Sequence, residues 1–321
     1  MKKLLPIISL LLVVLAGVYV VNLDSEQKGD SVVEKANKKI EQNIKLASFD
    51  KRKSCAKRPK FLKSFKIKSA VMIDLSQRSA KGVSLLFGKD FRKFLHSPKW
   101  ERFGYFGTYT LDIDGNIYLV PMPFVSIEKD TFEYQKNLYI LDSSSAKLDI
   151  FMSFDDVNAS NSNPYGLSAI AYDCKSDRFY ISAIDSSTYD RANGRIYVVD
   201  RKSKKVIDKI DGFDALALTI VEDEKGARYL LAGSARDDAL YSYEITQDGL
   251  SQDRVKLLNV PTATQHIRKI RVKSKDILEL ETIEFSYSLI ASSDDSGKYR
   301  EHYLAKYNSL AKSFEVSKIQ P

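Results

Sequence analysis

A short phrase with tyrosine at its third position recurs four times in this chain, and it constrains the fold more than any other feature. The copies occupy residues 137–142, 195–200, 239–244 and 301–306. A second series of tyrosines advances with the first, at Tyr118, Tyr180, Tyr229 and Tyr287. Self-similarity at a regular interval is typical of folds built from one repeated supersecondary unit.

Each unit contains four short segments that we expect to form strands. An apolar stretch ending in a turn signal precedes the second-series tyrosine, at 108–115, 166–177, 216–226 and 267–276. Another short run follows the phrase, at 148–154, 205–210, 255–260 and 314–319. Dipeptides such as Asp114-Gly115 and Asp248-Gly249 supply the positive φ angles of tight hairpins. The units therefore predict sheets of four antiparallel strands.

A ring of such sheets is the predicted architecture, because one small sheet cannot bury both of its faces until neighbours stack against it. We predict an all-β fold, a β-propeller of about five blades: four full units and a partial one at 72–87. A sixth blade would require further strands within 60–104. A β-sandwich is the alternative architecture.

The N-terminus predicts export. Met1, Lys2 and Lys3 precede an uncharged, largely apolar run from 4 to 21. Two interpretations stay open for residues 1–22: a signal peptide cleaved after Ala16, or an uncleaved signal anchor in the inner membrane. Both place the following chain in the cell envelope, on the periplasmic or extracellular side, anchored or secreted.

Residues 23–60 form a predicted charged linker or stalk, with a helical spacing of apolar residues between Val33 and Ile44. The propeller domain is predicted at 61–321. The net charge of +8 is concentrated locally, since 51–68 holds nine Lys or Arg and no acid. Without zinc-finger spacing or RNP-like aromatics, this charge does not indicate nucleic-acid binding.

Only two cysteines are present, Cys55 and Cys174. Two cysteines are too few for a disulfide scaffold and fit no metal-binding spacing. Export permits a bridge between them, but sequence separation alone does not decide whether their Cα atoms lie within bonding reach.

Two phrases carry a family resemblance: DGNIYL at 114–119 and NGRIYVVD at 193–200. They resemble phrases of bacterial secreted propellers of the NHL, YVTN and gluconolactonase-like groups, over about 65–319. The resemblance implies blade architecture more directly than any activity.

In such propellers, ligands meet the loops between blades and those between the second and third strands of a blade. Six polar residues in these loops are the candidate ligand-binding residues: Asn163, Asp185, Asp190, Asp214, Asp238 and His266. The gluconolactonase-like resemblance further implies a central Ca²⁺ or other divalent cation, for which Asn163 and Asp214 are the nearest candidates by position.

The sequence leaves two hypotheses about the function. The first is an exported, membrane-tethered, non-catalytic binding module whose loop face recognises a protein, a glycan or a small molecule. The second is a metal-dependent, lactonase-like hydrolase in which a central ion polarises a carbonyl group. The chain has no Gly-x-Ser-x-Gly elbow and no phosphate-binding glycine loop. This favours the binding module, and no catalytic residue is assigned.

Overall fold

The computed structural model describes residues 46–50, 55–76, 80–123, 132–262, 266–288 and 300–319. The predicted export segment at 1–22 and the helical spacing between Val33 and Ile44 lie outside these residues. Among the residues described, no helix is long and apolar enough to cross a membrane.

Five antiparallel sheets of consecutive strands make up the described chain, and each is one blade. Blade one has β1 (Val71–Asp74), β2 (Ser84–Phe87) and β3 (Lys93–Leu95). Blade two has β4 (Phe106–Leu111), β5 (Ile117–Pro121), β6 (Asn137–Leu141) and β7 (Leu148–Ser153). Blade three has β8 (Leu167–Asp173), β9 (Arg178–Ala183), β10 (Arg195–Asp200) and β11 (Lys205–Asp211). Blade four has β12 (Ala215–Glu222), β13 (Arg228–Ser234), β14 (Ala239–Ile245) and β15 (Leu250–Asn259). Blade five has β16 (His266–Ser274), β17 (Ile277–Ile283), β18 (Glu301–Asn308) and β19 (Ser313–Lys318).

Helices are few and short. The α-helix α1 spans Phe61–Ser64, and 3-10 helices span Lys89–Phe91, Pro98–Glu101 and Phe132–Lys136. The first strand of each blade lines one central channel. The predicted all-β, five-bladed propeller is therefore confirmed.

Blade three shows why the blades form a ring. On β9, Phe179 and Ile181 are buried in a core shared with blade two, whereas Tyr180 between them is buried in a core shared with blade four. Successive side chains of a strand point to opposite faces, so one strand supplies both cores. The ring of Tyr118 in blade two lies 4.4 Å from that of Phe179 in blade three. Four of the repeated tyrosines, Tyr118, Tyr139, Tyr180 and Tyr197, are thus buried in cores that two blades share.

Blade one completes the set with three strands instead of four. Its core is shared with blade two and includes Leu85, Trp100 and Phe106. The predicted partial unit at 72–87 corresponds to β1 and β2, which pair with each other. No sixth blade occurs among the described residues.

One repeat assignment was wrong. The sequence placed Tyr287 in the second strand of the last unit, but β17 ends at Ile283 and Tyr287 lies in the connection that follows. The second strand of blade five is built instead from ILELETI, in which Leu278 and Leu280 are fully buried. The phrase Ser-Tyr-Ser at 286–288 resembles the strand phrases of the other units, but it lies in a loop.

Buried aspartates close the hairpins between the first and second strands. Asp112 is fully buried, and its Oδ1 accepts hydrogen bonds from the backbone N–H groups of Asp114 and Asn116. Its Oδ2 accepts one from Arg201 of blade three at 3.0 Å. Arg201 also donates to Asp177 at 2.5 Å, so its charge joins hairpins of two blades. We call this side of the propeller the hairpin face.

Part of the predicted linker packs on the hairpin face. Phe49 is buried, and its N–H donates to Asp276 in blade five at 2.8 Å. Further along the chain, the N–H of Phe61 donates to the carbonyl oxygen of Ser143 in blade two at 2.7 Å. Residues 46–50 therefore contact the blades, with Leu46 and Phe49 buried, and within 55–60 the N–H of Lys57 donates to the carbonyl oxygen of Asp112 in blade two at 3.2 Å.

Cys55 and Cys174 form a disulfide, with Cα atoms 6.3 Å apart across a sequence separation of 119 residues. Cys174 lies in the hairpin between β8 and β9. The bridge thus attaches the segment before blade one to blade three, a pairing that the sequence left open.

Replacing both cysteines (Cys55→Ser with Cys174→Ser) should lower the free energy of unfolding by about 2–4 kcal/mol, since the bridge closes a long loop in the unfolded chain. Urea unfolding followed by tryptophan fluorescence measures this. A reductant should lower the stability of the wild type similarly and leave the double variant unchanged. An unchanged wild-type midpoint in reductant would contradict the assignment.

Candidate functional site

All six predicted ligand-binding residues lie on the side opposite the hairpin face, which we call the loop face. Asn163 precedes β8, Asp214 precedes β12, and His266 begins β16. Asp185 and Asp190 lie between β9 and β10, and Asp238 lies between β13 and β14. The placement follows from antiparallel pairing, which brings these connections to one end of the blades.

Asp214 is the centre of the hydrogen bonding on this face, and it is buried. Its Oδ1 accepts hydrogen bonds from Ser187 Oγ at 2.5 Å and from Gly194 N–H at 2.7 Å. Its Oδ2 accepts them from Tyr287 Oη at 2.5 Å and Arg236 Nη1 at 3.3 Å. One carboxylate therefore ties together loops from blades three, four and five.

Gly194 is required by this contact. A Cβ atom at that position would lie 2.2 Å from Asp214 Oδ1 and 2.5 Å from the carbonyl oxygen of Phe213. Only glycine lets the backbone approach the carboxylate so closely.

Asn163 and Asp185 hold a second set of loop contacts. Asn163 Nδ2 donates to the carbonyl oxygens of Ile184 at 2.6 Å and Ser187 at 2.9 Å. Asp185 pairs with Arg195 and accepts a hydrogen bond from the N–H of Asn158 at 2.9 Å. Both side chains are buried, so they fix the connection before β8 against the one after β9.

The other three predicted residues, Asp190, Asp238 and His266, lie outside these two sets of loop contacts. Asp190 is exposed. Asp238 accepts a hydrogen bond from Asn259 Nδ2 at 2.5 Å. His266 Nδ1 lies 3.2 Å from the carbonyl oxygen of Asp237, and burial lowers the pKa of its imidazole.

The proposed metal pair does not fit a divalent cation well. Asn163 and Asp214 are joined through Ser187, yet each uses its oxygens on internal donors, with Asn163 Oδ1 accepting from Tyr165 N–H at 3.1 Å. The guanidinium of Arg236 also occupies the side where a cation would have to bind. Within the described residues, no three His, Cys, Asp or Glu side chains converge. The calcium site stays a prediction that this hydrogen bonding does not favour.

An aromatic cluster that sequence reasoning missed lies on the same face. We define the loop-face cluster by its members, Tyr165, Tyr189, His266, Phe285 and Tyr287. The ring of Phe285 lies 5.2 Å from Tyr165, 5.0 Å from Tyr287 and 6.1 Å from His266. Tyr189 packs edge-on against Tyr287 at 5.8 Å. Loops of blades three and five thus meet in one apolar group.

Tyr189 is the exposed member of this cluster, with 64% of its surface accessible. Its Oη donates to Ser286 Oγ at 2.6 Å, and its carbonyl oxygen accepts a hydrogen bond from Arg236 Nη2 at 2.5 Å. Burial and the hydrogen bond to Asp214 raise the pKa of Tyr287, which therefore stays a neutral donor. The sequence contained one indication of this cluster. Tyr189 is an aromatic residue in the loop between β9 and β10, which belongs to the predicted ligand-binding face.

The inner strands form a second feature that the sequence did not reveal. In blades two to five, the pairing skips a residue near the start of the inner strand, at Gly107, Ser168, Leu216 and Arg268. Such a β-bulge leaves a residue unpaired and re-aims its side chain. Three of the four equivalent positions, Gly107, Leu216 and Arg268, border the channel.

Arg268 crosses the channel at this level. Its Nη1 donates to the carbonyl oxygen of Leu216 at 3.1 Å and lies 3.5 Å from that of Ser168. A Cβ atom on Gly107 would lie 3.1 Å from Arg268 Nη2, so the missing side chain of Gly107 makes room for the guanidinium.

Substituting Asp214 tests whether this residue organises the loop face. Asp214→Ala should lower the free energy of unfolding by about 3 kcal/mol or more, because it leaves Arg236 and three other donors without their acceptor. Urea unfolding measures the effect. The matched control Asp190→Ala removes an exposed carboxylate and should change stability by less than about 0.5 kcal/mol. Equal effects of the two substitutions would contradict the role given to Asp214.

No family model and no curated protein matches the chain. Among solved structures, it is similar to a chain of the nidogen/laminin complex, with 12% identity, coverage of 75% of this chain and 90% of that one, and a TM-score of 0.40. It is similar to the Dos1 propeller, with 12% identity, 74% and 54% coverage, and a TM-score of 0.36. A GH43 β-1,3-galactosidase shows 10% identity, 66% and 89% coverage, and a TM-score of 0.35.

The aligned region spans only about half of the Dos1 chain and about a quarter of a bifunctional GH43-CE protein from Bacteroides eggerthii. At 10–13% identity and TM-scores of 0.35–0.40, these similarities carry no function to this chain. Its own sheet topology makes it an all-β protein with the five blades of a β-propeller.

Proposed function

We propose that this protein is an exported, membrane-tethered, non-catalytic binding module whose loop face captures a protein, a glycan or a small molecule. The observation that carries the proposal is Tyr189, an exposed ring on a rigid hydrogen-bonded base. Aromatic anchors of this kind supply large contact area at low conformational entropy cost, and binding energy concentrates on them.

The carboxylates of the loop face support the same proposal. Asp185 and Asp214 point their oxygens at internal donors from neighbouring loops. They act as a framework that holds Tyr189 and Tyr287 in place. A surface whose loops are fixed before binding loses less entropy when a ligand binds.

The disulfide supports the proposed location. Bridges such as Cys55–Cys174 form and persist in oxidising compartments outside the cytoplasm. This agrees with the export segment, whose residues 4–21 would enter the inner membrane in the anchored form. The resemblance to secreted bacterial propellers of the NHL, YVTN and gluconolactonase-like groups agrees with it as well.

The alternative, a lactonase-like hydrolase, requires a stoichiometric divalent ion. Elemental analysis of the purified protein after calcium soaking would test for the ion directly. Hydrolysis of a lactone by the same preparation would contradict the non-catalytic proposal.

Photo-crosslinking tests the binding face. A photoreactive residue at position 189 should form adducts in the producing cells, whereas one at Leu310, which is 95% exposed in the β18–β19 turn of the hairpin face, should not. Once identified from its adduct, the partner should bind Tyr189→Ala about thirtyfold more weakly than wild type in calorimetry, a typical loss for a central aromatic anchor. Equal adducts from both positions, or unchanged affinity of Tyr189→Ala, would contradict the proposal.

A further inference from the structure

The central channel is a cavity of about 800 Å³, bordered by the first strands of all five blades. Ligand sites commonly have volumes of several hundred Å³ with mostly apolar walls and a few placed polar groups. The described walls include Met72, Ile170, Leu218 and Ile220. The cavity therefore has the size of a small-molecule site, and its walls combine apolar side chains with hydroxyl groups such as those of Thr108, Thr110 and Thr219.

Its charge is uneven. Of the charged residues that border it among those described, four are cationic and two are carboxylates: Arg268, Lys269, Arg271 and Arg300 against Asp74 and Glu281. All four cations belong to blade five or to the connection leading into β18. One wall of the channel is thus basic, whereas the others combine apolar and hydroxyl side chains.

Both carboxylates already have donors. Glu281 accepts a hydrogen bond from Arg300 Nη1 at 3.1 Å, and Asp74 accepts one from the N–H of Ser76 at 2.9 Å. Neither carboxylate makes an ion pair with Arg268 or Lys269 among the described residues. Arg268 and Lys269 thus form no salt bridge among the described residues, although Glu281 lies near enough to act on the pKa of both in the upward direction.

Of these two cations, Arg268 indicates an anion-binding site more strongly than Lys269 does. Its hydrogen bonds go to neutral carbonyl oxygens, and Nη2 has Met122 Sδ at 4.0 Å as its described contact. Burial lowers the pKa of Arg268, and burial together with the neighbouring charge of Arg271 lowers that of Lys269. Cations that have lost hydration through burial are stabilised when an anion enters the site.

We propose that the channel binds a small organic carboxylate whose acid group meets Arg268 Nη2 and Lys269 Nζ and whose apolar body lies against the opposite walls. Nη2 of the guanidinium has N–H donors that can meet a carboxylate oxygen while Nη1 keeps its carbonyl acceptors, and the ammonium adds a second charge-assisted bond. This site lies inside the ring and is distinct from the loop-face cluster.

Calorimetry with 3-phenylpropionate at low ionic strength tests the proposal. The wild-type chain should bind it, and 3-phenylpropionamide, which is similar in shape but neutral, should bind at least tenfold more weakly. Inorganic phosphate, which has charge but no apolar body, should also bind more weakly. Equal affinity for all three, or no binding of the carboxylate at millimolar concentrations, would overturn the proposal.

Lys269→Gln gives a variant that leaves the Arg268 contacts intact, so a folding defect does not confuse the result. It should weaken carboxylate binding about ten- to hundredfold, the usual range for one charge-assisted hydrogen bond. The control Lys256→Gln makes the same change of net charge on β15, away from the channel. It should retain wild-type affinity. Equal losses in both variants would show a general charge effect and would also overturn the proposal.

Discussion

Aromatic packing between neighbouring blades is the interaction on which the rest of the structure depends. A sheet of four short strands has two apolar faces, and it can bury both only between two other sheets. Tyr118, Phe151 and Phe179 meet at the boundary of blades two and three, with ring centroids 4.4–6.0 Å apart. Tyr180, on the other face of the same strand as Phe179, belongs to the next boundary. This alternation builds the ring.

The ring in turn places polar groups that a single blade could not hold. Arg201 reaches Asp112 and Asp114 of blade two only because blades two and three are fixed side by side. Arg268 spans the channel for the same reason, since its acceptors lie in blades three and four. On the loop face, Asp214 joins three blades. The apolar boundaries set the geometry, and the buried ionic groups make it specific.

Much of the fold could be predicted from the sequence because strand periodicity and turn chemistry are local. The repeated phrases with tyrosine at the third position correctly predicted β6, β10, β14 and β18. The structure also has the five blades that the sequence predicted. Tyr287 was misplaced, because a short polar-aromatic phrase in a loop resembles one in a strand. The Cys55–Cys174 bridge was left open, since only the assembled ring brings residues 119 positions apart within reach.

The loop-face positions of the candidate residues could be predicted from the sequence, but the hydrogen-bond partners of their side chains could not. Sequence reasoning placed Asn163, Asp185 and Asp214 on the loop face, yet it treated them as presented to a ligand. The structure turns Asp185 and Asp214 towards neighbouring loops. The position of Arg268 in the channel could not be predicted from the sequence, because the bulge in β16 depends on its pairing with β17 and not on local composition.

The central claim, that aromatic contacts between blades hold the ring together, is tested most directly by a double-mutant cycle on Tyr118 and Phe179. These residues lie in different blades, and their free energies of unfolding would be measured in urea for Tyr118→Leu, Phe179→Leu and the double variant. We predict a coupling energy of about 0.5–1.5 kcal/mol, as found for aromatic pairs in contact. Additive effects, with a coupling energy below about 0.3 kcal/mol, would contradict it.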